Sequence, residues 1–382
     1  MTYQGIDVGS GEAIAVTFDE QIQSVDHLIA PSEGLPYLAP GFIDVQVNGF
    51  GGVDYNSPTA SHEAIAESIR KMYETGVTRF FPTVITGSPE DMAGALRNLA
   101  RAKECLPEGA SMEAFHVEGP HISPEDGPRG AHPRRWVRPP DLEEFRRWQE
   151  AAQGNVRLVT VAPEWPEAPR YIESLVREGV VVAIGHTRAS AQQLDDAVKA
   201  GATMSTHLGN GADSMLPRHP NYIWEQLADD RLTASFIADG IHLPASFLKV
   251  ALRAKGIERS VLTTDAVAPA GCAPGRYRLG EVEVVLSEDD SVRLVDGVRL
   301  AGSSLKMDRG VTKLMQLAGL SLLEAITMAT RNPARAARVP LRQRGVAPGE
   351  RADLVLFRFN ENERSIQVEK TVVNGQVVYS RN

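Results

Sequence analysis

Eight short apolar runs along the middle of the chain constrain its fold more than any other feature. Stretches of helical or loop character separate these runs, which span residues 41–47, 77–84, 112–117, 156–162, 179–185, 202–207, 232–238 and 260–265. Two of the separating stretches, 62–76 and 191–201, place apolar residues three and four positions apart and end near glycine, which predicts amphipathic helices. Runs this continuously apolar are typical of parallel strands covered on both faces.

Eight such strands alternating with helices predict a (β/α)8 TIM-type barrel, which is an α/β fold. A doubly wound open sheet is the structural alternative, and the number and spacing of the strands favour it less. The chain before residue 40 is β-like, and the helical pattern stops again after about residue 345. There, Asn374–Gly375 signals a hairpin turn. We therefore predict a small β-sandwich domain formed by residues 1–39 and 346–382, beside a catalytic barrel of residues 40–345.

Composition excludes several classes of protein. The 382 residues are 42% hydrophobic and 23% charged, which is ordinary for a globular protein. The net charge of −9 argues against nucleic acid as a partner, although local donors could still bind an anionic substrate. No apolar run approaches the roughly 20 residues that a membrane helix needs, so no membrane association is expected. Cys105 and Cys272 make no disulfide framework, which favours a cytoplasmic location.

Polar residues follow the predicted strands at the end where a barrel of this kind carries its catalytic groups. In chain order they are Gln46, Asn48, His116, Glu118, His186, His207, Asp239, His242 and Asp265. Glu118, His186 and His207 form a set of two nitrogen ligands and one oxygen ligand, which with a water is the composition of a catalytic zinc site. Each alone could be an ordinary structural residue, but three at the strand ends of one barrel predict a metal site.

Three further features could complete the chemistry. Asp265, beside a metal, could take a proton from bound water and pass it to a leaving amine, or it could merely cap the next turn. Segment 206–220 is rich in Gly, Asn and Pro and contains Arg218. Exposed backbone N–H groups and an arginine are suited to binding a phosphate, although the segment could equally be an ordinary loop with a surface arginine. His132 lies in a loop, 127–133, that could fold over the site or remain solvated.

Together these motifs resemble the N-acetylglucosamine-6-phosphate deacetylases of the amidohydrolase superfamily. The resemblance covers nearly the whole chain, with the motifs in the family's order. They are LAPGFIDVQVNGFGG (38–52), HVEGP (116–120), GAHP (130–133), IGHT (184–187), THLGNG (206–211), ADGIHL (238–243), TTDAVAPAG (263–271), LAGSSLKMDRGV (300–311), ATRNPARAARV (329–339) and GVAPGERADLVLF (345–357).

The resemblance implies hydrolysis of the acetamide of N-acetylglucosamine-6-phosphate to glucosamine-6-phosphate and acetate. Glu118, His186 and His207 would bind one divalent metal ion; Zn²⁺ fits the ligands best, with Fe²⁺, Co²⁺ and Mn²⁺ as alternatives. Asp265 would be the base that activates the metal-bound water and then the acid that protonates the departing amine. His132 would bind the acetamide oxygen and stabilise the oxyanion.

The resemblance also implies the substrate contacts and the assembly. In this family part of the phosphate site can come from the neighbouring subunit, so a homodimer is implied. The phosphate and sugar contacts would be Ala131, Asn210, Gly211, Arg218, Asp239 and His242, together with the pocket-lining stretch Leu300, Ala301 and Gly302.

Several residues depart from what the resemblance leads one to expect; Gly211, where Ala is more usual, is a mild departure. Many amidohydrolases carry His-x-His for a second metal where this chain has Gln46 and Asn48. Neutral amides compete poorly for a divalent ion, so a single metal is expected. His121 is an additional imidazole near the predicted metal and could be a ligand or a substrate contact. Tyr222 and Trp224 stand where small and aliphatic residues are commoner, and could alter the sugar pocket or the dimer contact.

Three alternatives stay open at this point. The same chemistry could act on N-acetylgalactosamine-6-phosphate or on an unphosphorylated N-acetyl amino sugar. A hydrolase of cyclic amides or acyl-amino acids usually keeps His-x-His, so Gln46 and Asn48 argue against that reaction. A catalytically inactive barrel used for assembly would have lost its ligands or its base, and all of them are present.

Overall fold

The chain folds into alternating strands and helices flanked by two strand-rich ends, in a computed structural model that describes residues 1–29 and 34–381. Residues 30–33 and 382, which belong to the predicted terminal domain, lie outside the described residues. The strands are β1 (Thr2–Asp7), β2 (Ala13–Phe18), β3 (Ile22–His27), β4 (Tyr37–Pro40), β5 (Phe42–Val47), β6 (Gly49–Phe50), β7 (Val53–Asp54), β8 (Val77–Ile85), β9 (Phe115–Glu118), β10 (Val156–Val161), β11 (Val181–Ile184), β12 (Met204–Ser205), β13 (Thr233–Ile237), β14 (Ser260–Thr263), β15 (Gly275–Leu279), β16 (Val282–Leu286), β17 (Val292–Leu294), β18 (Leu354–Asn360), β19 (Ser365–Val373) and β20 (Gln376–Ser380). The α-helices are α1 (His62–Tyr73), α2 (Pro89–Cys105), α3 (Asp126–Arg129), α4 (Leu142–Ala151), α5 (Ala168–Arg177), α6 (Ala191–Lys199), α7 (Tyr222–Ala228), α8 (Ala245–Lys255), α9 (Met307–Lys313), α10 (Leu322–Ala329) and α11 (Arg331–Ala336).

Eight parallel strands form the barrel, in the order β5, β8, β9, β10, β11, β12, β13, β14. Each of them coincides with one of the eight apolar runs, so the predicted (β/α)8 fold is confirmed. The first and last strands meet at a seam, where the Asn48 amide donates to the Ala266 carbonyl over 2.7 Å. At the same seam the hydroxyls of Thr263 and Thr264 donate to the buried Asp44 carboxylate over 2.8 and 2.5 Å. The strand ends are thereby held at one rim.

Both predicted amphipathic stretches are helices, α1 and α6. Their start is fixed by serine caps: Ser61 accepts from the Ala64 amide, and Ser190 forms a reciprocal capping box with Gln193. Such caps contribute about 1 kcal/mol each, because they satisfy amides that the first turn leaves free. The apolar face of α1 is buried in the same apolar cluster as residues of the barrel strand β8. None of the described helices combines the length and apolarity needed to cross a membrane.

The two ends of the chain pair with each other, as predicted. Hydrogen bonds join them into one seven-stranded sheet in the order β20-β19-β18-β4-β1-β2-β3. Val16 of β2 and Leu354 of β18 belong to one apolar cluster, so strands from both ends of the chain share a core. Asn374 and Gly375 have φ of 47° and 77°, and they form the hairpin turn between β19 and β20. The domain boundaries at 39/40 and 345/346 stay a prediction.

A three-stranded antiparallel sheet, β15–β17, lies between the last barrel strand and α9 and was not predicted. We call residues 275–300 the insert, that is, this sheet with the segment after β17. Leu279, Val284 and Val292 of the insert pack with Ile85 and Val267 at the rim of the barrel. The insert therefore stands beside the ends of the barrel strands, where a catalytic site is expected.

Candidate active site

A cavity of about 780 Å³ opens where the barrel strands end. Its walls come from the strand ends, from two loops and from the insert. Three predicted contacts do not line it: Arg218 is exposed on a loop, Ala301 is buried, and Asp239 lies behind His242. The predicted residues that do line it are Glu118, Ala131, His132, His186, His207, Asn210, Gly211, His242, Asp265, Leu300 and Gly302.

The three predicted metal ligands converge on one point of this cavity. The ligand atoms of Glu118, His186 and His207 all lie within 4.8 Å of one another, and all three residues are buried. Glu118 Oε1 lies 2.9 Å from His207 Nε2 and 3.3 Å from His186 Nε2. Glu118 ends β9, whereas each of the two histidines is the second residue after its strand, β11 or β12. The parallel barrel thus brings together residues that are far apart in sequence.

The chemistry of these donors fits a divalent ion. His186 Nδ1 lies 2.8 Å from the Pro128 carbonyl and donates to it, which leaves the Nε2 lone pair directed at Glu118 and His207. Burial opposes ionisation of Glu118, but its interactions with His186 and His207 outweigh that effect and hold its pKa well below the usual value. An ionised carboxylate and a free imidazole nitrogen, aimed at one point inside the protein, are suited to a cation.

Left-handed backbone conformations direct the side chains after three strands into the cavity. His186, His207 and Asp265 have φ of 49°, 28° and 51°. Such conformations cost about 1–3 kcal/mol each in a non-glycine residue, and they persist where the surroundings hold them. The His207 amide, for example, donates to Ser235 Oγ over 2.8 Å. Gly211 lies against this arrangement, because a Cβ there would stand 2.7 Å from His186 Nδ1.

Two amide side chains hold the predicted base. Asp265 Oδ1 accepts hydrogen bonds from Asn48 over 2.7 Å and from Gln46 over 3.0 Å. Gln46 Nε2 also donates to Glu118 Oε1 over 2.8 Å, so one amide bridges the ligand carboxylate and the base. Burial, together with the nearby charge of Glu118, raises the pKa of Asp265 to about 6. The sequence identified Gln46 and Asn48 only as missing ligands and did not reveal their role as donors.

His132 enters the cavity from the loop after β9. Its Nδ1 lies 2.8 Å from Thr86 Oγ1, and its Nε2 lies 4.0 Å from Glu118 Oε2. Burial lowers the pKa of His132 to about 3, so the ring is neutral. When the Thr86 hydroxyl donates to Nδ1, the ring proton sits on Nε2 and can be donated to a carbonyl oxygen. Thr86 is a site residue that the sequence reading missed.

His242 also lines the cavity. Its Nδ1 lies 2.6 Å from Asp239 Oδ2, while the backbone amides of His242 and Ile241 donate to Asp239 Oδ1 over 2.8 Å. Burial opposes ionisation of Asp239, but its bonds and charge interaction with His242 prevail and lower its pKa. Asp239 therefore orients the imidazole ring, whereas His242 is the residue that faces the cavity.

The other residues that depart from the family pattern lie outside the cavity. His121 packs between Trp148 and Tyr171, with ring centroids 5.3 and 5.2 Å away, and burial lowers its pKa to about 4. It is a neutral core residue rather than a ligand or a substrate contact. The Tyr222 hydroxyl holds Asp213 in the loop after β12, and Trp224 is exposed.

The sequence reading also missed two arginines of the insert that line the cavity, Arg293 and Arg299. The signal that could have revealed the insert is the alternation of apolar and polar residues over 276–279 and 281–284, on either side of a glycine turn at Gly280. That alternation predicts strands but does not indicate that they lie beside the active-site cavity.

The chain is similar to known proteins in both sequence and structure. The sequence model of the Amidohydrolase family matches residues 37–378. A Bacillus subtilis N-acetylglucosamine-6-phosphate deacetylase is 32% identical over 380 residues, which cover 99% of this chain and 92% of the relative. An Escherichia coli O157:H7 N-acetylgalactosamine-6-phosphate deacetylase is 32% identical, with 94% of each chain covered. The structure of a Mycobacterium smegmatis N-acetyl-D-glucosamine-6-phosphate deacetylase mutant, in complex with N-acetyl-D-glucosamine-6-phosphate, superposes with a TM-score of 0.86 at 30% identity, covering 96% of this chain and 94% of that one.

Proposed function

This chain belongs to the amidohydrolase family, and we propose that it hydrolyses the acetamide of N-acetylglucosamine-6-phosphate to glucosamine-6-phosphate and acetate. The observation that carries the proposal is the convergence of Glu118, His186 and His207 with Asp265 in one cavity at the strand ends. Relatives that cover nearly the whole chain and bear the same activity in their names support it. Release of acetate from this substrate by the purified, metal-loaded protein is the test, and absence of release contradicts the proposal.

We assign one divalent metal ion to Glu118, His186 and His207. Zn²⁺ fits two imidazoles and a carboxylate best, with Fe²⁺, Co²⁺ and Mn²⁺ as alternatives. When bound, the ion would polarise the amide carbonyl and lower the pKa of a coordinated water. Gln46 and Asn48 support a single ion, because their amide hydrogens are already donated to carboxylates.

The chain's own residues would supply the proton transfers and the oxyanion contact. Asp265 Oδ1 is engaged by two amides, which leaves Oδ2 to take a proton from the attacking water. His132 Nε2–H would donate to the amide oxygen as the tetrahedral carbon forms. Asp265 would then pass the proton to the sugar nitrogen as the carbon–nitrogen bond breaks, so that acetate and the free amine leave.

The remaining cavity residues are proposed to bind the sugar phosphate. Ala131, Asn210, Gly211, His242, Leu300 and Gly302 line the cavity beyond the metal ligands. Asp239 would contribute by orienting the His242 ring. Ala301 would contribute by fixing the backbone of Leu300 and Gly302, which line the cavity. A second candidate substrate is N-acetylgalactosamine-6-phosphate, favoured by the similarity to the Escherichia coli relative of that name. Comparing acetate release from the two epimers distinguishes these substrates.

A homodimer is proposed from the exposed loop that carries Arg218. Met215 and Trp224 flank Arg218 in the sequence and are 87% and 49% exposed. Exposed apolar patches are typical of protein–protein interfaces, and these two side chains would contribute to one. In a dimer, Arg218 would reach the partner's cavity rather than its own. Sedimentation equilibrium at micromolar concentration should give twice the chain mass, and a monomer would contradict the proposal.

Cellular location is proposed from the cysteines. Cys105 and Cys272 are both free thiols in the structure. Free thiols persist in a reducing compartment, so the cytoplasm is the proposed location. Fractionation of cells that express the chain would test this, and recovery outside the cytoplasm would contradict it.

Metal analysis gives a prediction for the site itself. The purified protein should contain about one equivalent of divalent metal per chain, and Glu118→Gln should lose both the metal and measurable activity, because loss of the anionic ligand leaves two neutral imidazoles. Elemental analysis by mass spectrometry is the measurement. The matched control is Glu173→Gln, which makes the same change at an exposed ion pair with Arg177. A Glu118→Gln protein that retained metal and turnover would show that the ion is held elsewhere.

A further inference from the structure

Two arginines of the insert form part of the wall of the active-site cavity. Arg293 lies in β17, and Arg299 lies in the segment that returns from it; both line the cavity. Arg293 pairs with Leu300 through an antiparallel bridge, so the two arginines stand on adjacent strands of one turn. Val292, next to Arg293, is fully buried in the apolar cluster of the insert and anchors this turn to the barrel rim.

The two guanidinium groups retain unused hydrogen-bonding capacity. The Arg293 side chain makes no hydrogen bond or ion pair with residues 1–29 or 34–381. Arg299 donates one bond, to the Gly130 carbonyl over 3.2 Å, and stands 3.8 Å from Asp126, which is already paired with Arg129. A guanidinium has five N–H donors, so both arginines can still bind an anion in a fork geometry.

The charge of the cavity wall differs in sign from that of the whole chain. The chain carries a net charge of −9, yet this wall presents two arginines. The acidic groups of the outer cavity are already compensated, because Asp213 is paired with Arg188 and Asp126 with Arg129. Guanidinium groups with free N–H donors at the wall of a cavity suit a phosphate, which they bind with more than one hydrogen bond.

We infer that Arg293 and Arg299 bind the phosphate of the substrate from within the same chain and set the preference for a phosphorylated sugar. The inference rests on the proposed function. It adds to Arg218, which is exposed and lies off the cavity of its own chain. The insert therefore contributes to the preference for a phosphorylated substrate as well as forming part of the cavity wall.

Substitution of each arginine by glutamine tests the inference through the contribution of the phosphate. The probes are N-acetylglucosamine-6-phosphate and free N-acetylglucosamine, and the readout is the ratio of the two kcat/KM values. Arg293→Gln should lower this ratio at least about tenfold, chiefly through KM, because a charge-assisted hydrogen bond is lost. Arg299→Gln should act in the same direction, and Arg299→Lys should restore part of the ratio by restoring the charge.

The matched control is Arg276→Gln, which removes the same charge from an exposed position of β15 in the same insert, away from the cavity. A ratio in Arg293→Gln equal to that of Arg276→Gln would overturn the inference. So would equal losses on both probes, since these indicate a structural role.

A second measurement separates this inference from the proposed function. Calorimetric titration with glucosamine-6-phosphate and with inorganic phosphate measures anion binding without turnover. We expect binding in the wild-type protein that weakens at least about tenfold in the Arg293→Gln, Arg299→Gln double variant. If the wild-type protein released no acetate, the proposed function would fail, but the titration would still decide the role of the arginines. Binding that is unchanged in the double variant would overturn it.

Discussion

Asparagine in place of Asp265 is expected to lower kcat by about 10²–10⁴-fold, because an amide cannot accept the proton of the attacking water. The substitution keeps the size of the side chain and an oxygen that can still accept from Gln46 and Asn48. Metal content and thermal stability should therefore stay close to those of the wild-type protein. Steady-state acetate release at saturating N-acetylglucosamine-6-phosphate measures the effect, with elemental analysis of the same samples.

The dependence of the wild-type rate on pH provides a control for this substitution. Burial and the Glu118 charge raise the pKa of Asp265 to about 6. A base must be ionised to act, so kcat/KM should fall as the pH drops through that pKa. A bound cation favours the ionised form, which places the acidic limb at or below about pH 6. The limb should be absent from the Asp265→Asn profile. Turnover within about threefold of wild type, with metal retained, would exclude Asp265 as the base.

Asp353→Asn is expected to lower the free energy of unfolding by about 3–5 kcal/mol, because it leaves the buried Arg342 without its counter-ion and leaves Arg79 with Glu113 alone. Asp353 is fully buried next to β18 and accepts from Arg79 Nε over 2.7 Å and from Arg351 Nε over 2.8 Å. Arg342 lies 3.5 Å away and is likewise buried. Since Arg79 belongs to β8, the ion pair fastens the terminal sheet to the barrel. Urea unfolding followed by circular dichroism measures the loss.

The pH dependence of stability follows from the same group. Burial alone would raise the pKa of Asp353, but the charges of Arg351, Arg342 and Arg79 outweigh it and lower the pKa. The stabilisation is therefore present above the usual pKa of an aspartate and is lost as the pH falls through the lowered value. Glu173→Gln, which breaks an exposed pair, is the control and should change stability by less than about 1 kcal/mol. Equal urea midpoints of unfolding for Asp353→Asn and Glu173→Gln would contradict the stabilising role of Asp353.

The barrel was predictable because its strands are buried on both faces. Each strand therefore appears in the sequence as an apolar run, for example 77–84 and 156–162. Eight such runs indicate an eight-stranded barrel. The insert was not found, since its short antiparallel strands alternate between exposed and buried residues and lack such a run. The seven-stranded terminal sheet could be inferred from its β-rich ends and from the Asn374–Gly375 turn, whereas its strand order depends on pairings between the two ends.

The metal ligands were predictable because the residues after parallel strands meet at one rim. Glu118, His186 and His207 could be named from that rule and from the resemblance. The partners of these side chains could not be named. Thr86 follows β8 and contacts His132 in the loop after the neighbouring strand β9, whereas Gln46 of β5 contacts Asp265 across the seam with β14. Spacing in sequence carries no information about such contacts. His121 shows the converse: it lies three residues after a ligand, yet it points into the core.

Acetate release from three substrates is the most direct test of the proposed activity. The substrates are N-acetylglucosamine-6-phosphate, its galactosamine epimer and free N-acetylglucosamine, each with the purified protein that carries about one equivalent of Zn²⁺. We predict the highest kcat/KM for N-acetylglucosamine-6-phosphate and a much lower but measurable kcat/KM for the free sugar. Failure of the metal-loaded protein to release acetate from any of the three would contradict the proposed function.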